Sequence, residues 1–514
     1  MLFQSVEFIF IFLPIAFIGY HLLLTRTNQT ISIAFLVVCS SVFYAVHQPI
    51  FLLILLGSIF CNYVIGQYIA ERKSVIILTL GILFNVSLLT YFKYAGFIVW
   101  VYNESVSAGL SIPEIALPLA ISFFTFQQIA YLVDVHRHGR ITGGWLRYAL
   151  FVVFFPQLIA GPIVHHAEMI PQFEKTRRLT RLRLDVAVGF TIFTIGLAKK
   201  IILADSCGVF ADIVFDRAAS GLEPAFIESW IGATAFGLQI YFDFSGYSDM
   251  AVGLARLFGI RLPINFFSPY RSGSIIEFWR RWHITLSRFL RDYLYFPLGG
   301  NRKGPSRRYL NVMVVMVLGG LWHGAGINFV FWGALHGAYL MVNHAWRILF
   351  PAPPGTFGRA FFGMVTLTAI TIAWVPFRAH DYDTVVRVWS GMAGLNGLVL
   401  PRTVITATGS LGQLVLDFGL RVDSDAFRAL FWSGGLVNAL CFAAAGVIAL
   451  AVPNTYQWIR RFRPVLEVRS FPNQAVPNAL LWRPTLLWAG FTAALFALVV
   501  YYQAKPNAFL YFQF

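Results

Sequence analysis

Charge is what this chain has least of. Asp, Glu, Lys and Arg together make up 12% of its 514 residues, against roughly 25% in globular domains. A soluble fold of this length would need more charge to cover its exterior, so the excess apolar surface must face lipid. Cysteine is also scarce. Cys39, Cys61, Cys207 and Cys441 are scattered without CxxC spacing, which implies neither a disulfide framework nor a metal cluster. The first apolar run is long and lacks a basic leader and a small-residue cleavage site, so no cleavable signal peptide is expected. No internal repeat is visible. Nothing forms a soluble basic domain, so nucleic acid is not an expected partner.

What is present is apolar: 58% of the chain is hydrophobic, with a mean hydropathy of +0.69. Apolar runs stand at 7–24, 31–46, 49–70, 75–101, 115–134, 186–204, 226–250, 309–322, 328–346, 361–377, 434–452 and 484–502. Each approaches the roughly 20 residues a bilayer requires, or falls somewhat short. A further run at 146–162, broken by Pro156 and Gly161-Pro162, reads as re-entrant. The expectation is an all-α integral membrane protein of about 11–13 spanning or re-entrant helices, with residues 1–514 forming one polytopic domain. Arg26, Arg72-Lys73, the 136–140 stretch and the 175–183 stretch are basic, whereas the 103–114 and 205–225 loops are acidic. The positive-inside rule then puts the N-terminus outside and residues 256–308 in the cytoplasm. The 379–433 region reads as a variable extramembrane or interfacial insertion.

Between Arg256 and Arg308 stand eleven Lys or Arg against two acids, Glu277 and Asp292. Such a stretch suits anionic lipid headgroups and equally an anionic ligand. Within it Trp279-Arg280-Arg281-Trp282-His283 interleaves aromatic and basic residues. It reads either as an interfacial helix or as a donor wall, with Arg280 and Arg281 for phosphates, Trp279 or Trp282 for an adenine face and His283 toward the reaction centre.

Ionisable residues inside apolar runs are functional candidates, because burying them is costly. His21, His47 and His380 stand at run ends and read as interfacial. His136, His138, His165 and His166 lie beside basic loops and read as solvated or headgroup-facing. The His165-His166 pair has no acid or cysteine at helical spacing to complete a metal site, so no metal is expected. His323 differs: Gly319, Gly320, Gly324 and Gly326 flank it, allowing a backbone break or close approach. It reads either as a polar helix–helix contact or as a general base at a cavity floor. His336 would lie roughly 140° away on one continuous helix, so it and His344 read as structural hydrogen-bond formers unless the glycine break redirects the chain. Asp243 and Asp249, six residues apart, fall on different helical faces. They are expected to neutralise arginines of the next segment rather than to form a dyad.

These stretches, with LPLAISFFTFQQIAYLVDVHR at 117–137, FPQLIAGPIV at 155–164, GLAKKIILAD at 196–205, YFDFSGYSDM at 241–250, SPYRSGSIIEFWRRWHITLSRFLRDYLYFPLGGNR at 268–302, GGLWHGAG at 319–326 and WVPFRA at 374–379, carry a resemblance. The chain resembles the membrane-bound O-acyltransferase family, in particular the bacterial alginate O-acetylase branch, which also includes teichoic-acid D-alanyl and peptidoglycan acetyl transporters. The match is weakest over 380–480.

The resemblance implies a helical bundle in which a cytoplasmic tunnel meets an extracellular funnel. His323 matches the family's catalytic histidine, and His283 matches a second functional histidine at a position where many relatives carry Asn or Asp. Acetyl-CoA would be the co-substrate, with no cofactor. The acceptor would be a periplasmic acetyltransferase or other polysaccharide-modification protein, and through it an exopolysaccharide: alginate first, cellulose or peptidoglycan as variants. The site would be the bacterial inner membrane. His323 would take the hydroxyl proton, while His283 or Trp282 would steady the oxyanion or position the thioester. A secondary transporter is the rival reading, since broken helices with midplane polar residues also bind transported substrates. A structural subunit of a secretion complex is a third.

Overall fold

In a bilayer every backbone polar group must be satisfied within the protein, and for this sequence helices are the direct solution. The computed structural model describes residues 1–46, 48–174, 181–350, 355–400, 421–422, 435–466, 476–503 and 510. Among these, a two-residue parallel ladder, Val399–Leu400 with Arg421–Val422, is the sole strand pairing. Several helices begin at side-chain caps: Asn28 accepts from the Ile31 N–H, Ser274 from Glu277 and Asp381 from Thr384, each satisfying an orphan donor of the first turn.

Among the described residues five helices are long and apolar enough to cross a membrane: Phe8–Arg26, Pro49–Arg72, Val75–Val106, Leu182–Ala219 and Thr356–Arg378. Three shorter apolar helices, Gln29–Ala45, Gly435–Ala451 and Leu486–Tyr502, accompany them. The chain is a multi-pass, all-α membrane protein. The count by length and composition falls below the expected 11–13 because the three shorter helices are only 17 residues long and others, such as Phe226–Leu257, carry charged residues. Val75–Val106 buries only 17% of its most apolar window in the protein. Phe226–Leu257, by contrast, is buried at every residue from Ile240 to Leu257, and therefore tolerates Asp243 and Asp249. The acidic 205–225 stretch, expected as a loop, is helical as far as Ala219, in continuity with Leu182–Ala198 through a π-helical turn at Lys199–Ala204.

The 146–162 run is a helix, Trp145–Val153, then a break and a single turn, Phe155–Leu158. All residues from Tyr148 to Val164 are buried. Irregular backbone at this depth survives because protein surrounds it. Gln157 donates to the Phe151 carbonyl (2.7 Å), and the Ile163 N–H to Thr285 Oγ1 (3.0 Å). Of the 379–433 region, Tyr382–Met392 is an amphipathic helix, while 401–420 and 423–433 lie outside the described residues, as do His47 and the basic residues 175–180.

The crossing of Leu182–Ala219 with Phe226–Leu257 organises the interior. A Cβ on Gly196 would stand 2.6 Å from the Gly246 carbonyl oxygen, and one on Gly253 2.6 Å from that of Gly189. Two glycines seven residues apart on each helix thus let the backbones touch, as small residues do in membrane bundles. Alongside, Lys199 Nζ lies 2.6 Å from Asp249 Oδ2, and Lys200 Nζ 2.6 Å from Asp243 Oδ1 and 2.8 Å from Asp205 Oδ1. The partners of Asp243 and Asp249 are therefore lysines of the preceding helix and not arginines of the following segment. The backbone contact at Gly196 and Gly246 brings the lysines within reach. Gly196→Leu should cost about 1–3 kcal/mol or more by overpacking, read as a lowered thermal midpoint in detergent. Gly57→Leu, where nothing lies within 4 Å of the added atom, should leave the midpoint near that of the parent.

Candidate active site

His323 ends the helix Gly304–His323, and after the Gly324–Gly326 break the chain returns as Ile327–Leu349. The two helices form an antiparallel hairpin. A Cβ on Gly320 would collide with the Phe329 carbonyl, and one on Gly333 with that of Met316. The glycines near His323 thus serve close approach, and they press Trp332 of the returning helix against the His323 ring, centroids 5.3 Å apart. Phe377 closes another side at 5.3 Å. His323 is buried, 5% exposed.

His283 comes from the basic segment, at the corner between two short helices, Ile275–Arg281 and Ile284–Leu290. Its backbone is left-handed (φ 42°), a strained conformation for a residue with a Cβ, worth about 1–3 kcal/mol. The next N–H, of Ile284, is held by the Asn265 carbonyl at 2.9 Å. The side chain is fully buried, with Nδ1 3.2 Å from Asn265 Oδ1 and Nε2 without a hydrogen-bond partner among the described residues. The His283 and His323 rings stand 6.1 Å apart, centroid to centroid. The fold thus joins two histidines forty residues apart in sequence.

Two cavities approach this pair from opposite ends of the returning helix. One, of about 750 Å³, is lined by Trp279, Arg280, Thr285, Arg288, His344 and Arg347. The other, of about 670 Å³, is lined by Phe97, Trp100, Asn328, Phe329, Phe377 and Arg378. His344 and Asn328 are separated by about 24 Å of helix rise. Thr285 of the first cavity stands two residues from His283, and Phe377 of the second packs on His323. Neither histidine lines a cavity itself; the pair adjoins both through these neighbours.

The expected donor residues divide. Trp279 and the exposed Arg280 line the basic cavity. Arg281 touches its wall but is buried, paired with Glu277 at 2.7 Å and directed to the Phe267 carbonyl. Trp282 is packed in an aromatic core, 5.0 Å from both Phe266 and Trp374, and is absent from that lining. His336 lies between Trp332 (4.7 Å) and Trp279 (5.2 Å). Neither of its ring nitrogens has a hydrogen-bond partner among the described residues. The expected hydrogen-bond role is thus replaced by aromatic packing, because the hairpin turns this face of the helix toward the Trp cluster. His344 does bond, to Arg308 at 2.6 Å.

His165 and His166 are not headgroup-facing as expected. His166 is buried near Asp134, and His165 bonds to Tyr293, whose hydroxyl donates to Asp134 (2.8 Å). Among the described residues no three His, Cys, Asp or Glu side chains gather as metal ligands do.

Four residues of the site escaped the sequence reading. Asn265 holds His283 and is itself held by Thr285, where the 155–164 segment also attaches. Lys93 donates from Val75–Val106 to the carbonyls of Trp322 (2.7 Å) and His323 (3.0 Å), while Tyr94 donates to that of Leu321 (2.9 Å). Those carbonyls are orphans at a helix C-terminus, where a cation is favoured. A π-helical turn at Thr90–Tyr94 aims both side chains at the one helix end. A lone lysine within an aromatic run was the available signal.

Comparison with known proteins identifies the family. Residues 142–376 match the membrane-bound O-acyltransferase family model. A peptidoglycan O-acetyltransferase of Helicobacter pylori is 43% identical over 78% of this chain and 81% of its own length. A probable alginate O-acetylase AlgI of Pseudomonas syringae pv. tomato is 39% identical over the whole of both chains. A teichoic acid D-alanyltransferase of Streptococcus thermophilus is 30% identical over 44% of this chain and 57% of its own. The chain belongs to the membrane-bound O-acyltransferase family, and is a membrane-bound O-acyltransferase of its O-acetylase branch.

Lys93→Met should lower stability by about 1–3 kcal/mol, the cost of leaving buried carbonyls without their donor, and should reduce acyl transfer. Tyr94→Phe, which removes one neutral bond, should do less. Thermal unfolding and turnover measured on the same preparations check both.

Proposed function

We propose that this enzyme takes an acetyl group from acetyl-CoA in the cytoplasm and passes it across the bacterial inner membrane for O-acetylation of an exopolysaccharide, alginate first. The observation that carries this reading is the facing pair His283 and His323, adjoining a basic cavity through Thr285 and a second cavity at the other end of the hairpin through Phe377. The polyanionic donor suits the first, where Arg280, Arg288 and Arg347 stand. The acceptor hydroxyl approaches from the second. Its oxygen attacks the thioester carbonyl carbon, its proton goes to an imidazole nitrogen, the C–S bond breaks, and the proton leaves on the thiol. The family resemblance supports His323 as the proton acceptor. The aromatic enclosure excludes water that would hydrolyse the thioester.

Full-length similarity to an alginate O-acetylase supports alginate. The peptidoglycan relative, more similar over a shorter span, favours peptidoglycan as the second reading. A polymer is too bulky for a cavity between helices, so a separate periplasmic acetyltransferase is proposed to collect the group and deliver it.

Reconstitution with acetyl-labelled CoA, partner and polymer tests the scheme. Label should reach the polymer only when the partner is present, and His323→Ala should abolish it while the protein still accumulates. Full-rate transfer without a second protein would refute the relay, and transport of a substrate with no acyl transfer would favour a transporter. Arg280→Ala should raise the KM for acetyl-CoA on the order of tenfold, the loss of one charge-assisted phosphate contact, with kcat little changed. Arg281→Ala should instead lower stability. An unchanged KM at Arg280, with altered lipid dependence, would assign that residue to headgroups.

A further inference from the structure

Phe377 borders both the second cavity and the catalytic histidine. Its ring belongs to the cavity lining. It also packs on His323 at 5.3 Å, on Trp332 at 5.1 Å and on Trp374 at 5.5 Å, centroid to centroid. Phe329, from the same lining, meets it edge-on at 5.2 Å. The residue is buried although it borders open space, and His323 is absent from that lining. A hydroxyl coming from this cavity therefore meets the Phe377 ring before the imidazole.

The main chain around Phe377 is tied down. Pro376, inside the helix Thr356–Arg378, has no N–H to give the Ile372 carbonyl one turn earlier. The Trp389 indole N–H takes that place at 3.1 Å. On the other side Arg378 pairs with Asp212 at 2.9 Å, and the Ala379 carbonyl accepts from Asn328 at 2.8 Å. With the backbone held at these points, the ring can leave His323 by rotation about its own side-chain bonds. The adjoining cavity of about 670 Å³ gives it room.

We propose that Phe377 is the specificity-determining residue at the acceptor face: it bars water from His323 and yields to an acceptor whose contacts in the second cavity turn the ring aside. The inference rests on the acyl-transfer reading above. Water is the competitor this chemistry must reject, because a base that activates a hydroxyl also activates water. In hydrolysis the water oxygen bonds to the acyl carbon and one of its protons goes to His323. The C–S bond breaks, that proton leaves on the thiol, and the acetic acid formed then ionises. A single water has too few contacts to displace a ring from its packing. A hydroxyl borne on a larger molecule has more, and Trp100 and Tyr382, exposed in the same lining, offer them. Binding away from the reacting atom then drives admission, and the site discriminates by induced fit.

The test uses purified protein in lipid nanodiscs without acceptor. Diethyl pyrocarbonate, which modifies neutral imidazole, is read at His323 by peptide mass spectrometry. Modification should be slow in the parent and several times faster in Phe377→Ala. Equal rates overturn the proposal, and this arm needs no donor. Release of CoA thiol from acetyl-CoA should rise on the order of tenfold in Phe377→Ala, the scale on which one apolar contact discriminates. His323→Ala added to that variant should return release to background. Phe377→Leu, which keeps a smaller apolar plug, should show a lesser rise in both readouts, and it serves if the alanine variant does not accumulate. Unchanged CoA release in the folded variants, from a parent that transfers acetyl normally, overturns the proposal. So does a parent that hydrolyses acetyl-CoA without acceptor as fast as it transfers with partner and polymer, and that result needs no variant. A parent that releases no CoA even with partner and polymer would defeat the donor assignment instead, and the labelling contrast still decides the role of Phe377.

Discussion

Two lysines and two aspartates inside the bundle set the terms for everything around them. Charges buried at this depth persist only as pairs, and breaking one partner leaves the other stranded at a cost of several kcal/mol. Lys199 with Asp249 and Lys200 with Asp243 therefore lock Leu182–Ala219 to Phe226–Leu257 in a single register. Glycines at the crossing let the backbones come close enough for it. From the locked helix, contacts radiate outward. Thr455 donates to Asp249, the Leu510 N–H to Asp243, the Tyr270 hydroxyl to the Gly237 carbonyl, and Asn265 to Ser248. The last of these leads directly to His283, so the placement of one histidine is inherited from an ion-paired helix crossing.

The other histidine is placed by different means. Its hairpin is drawn together at Gly320 and Gly333, and the carbonyls of the helix end are tied by Lys93 and Tyr94 from an otherwise lipid-facing helix. Aromatic rings fill the space between the two supports: Trp322 stacks on Phe126, which stacks on Phe289, while Trp332 touches both His323 and His336. Two independently anchored pieces thus meet at a surface of rings, where packing decides the separation of the imidazoles.

Much of this could be read in the sequence. Low charge and long apolar runs indicated a helical membrane protein, and the glycines around His323 marked a place where backbones meet. His283 stood out within a basic, aromatic stretch. What could not be read depends on partners distant in sequence. Asn265 is an ordinary amide in an apolar run until Thr285 and Ser248 fold onto it. Lys93 gains meaning only from carbonyls some 230 residues away. Periodicity likewise placed Asp243 and Asp249 on separate faces but could not reveal that two adjacent lysines would reach both. Composition alone overlooks helices such as Phe226–Leu257, long enough to span but carrying polar residues that burial in protein permits.

The wall of rings around the histidines also has an electrical meaning. An ion entering between Trp322, Trp332, Trp374 and Phe377 would have to shed its hydration shell against ring faces, with two buried imidazoles and a few indole N–H groups as polar hosts among the described residues. A small uncharged acyl group faces no such penalty. For the transfer proposed above, such an enclosure would pass a neutral group while staying an insulator, and the membrane potential would not be spent with each turnover.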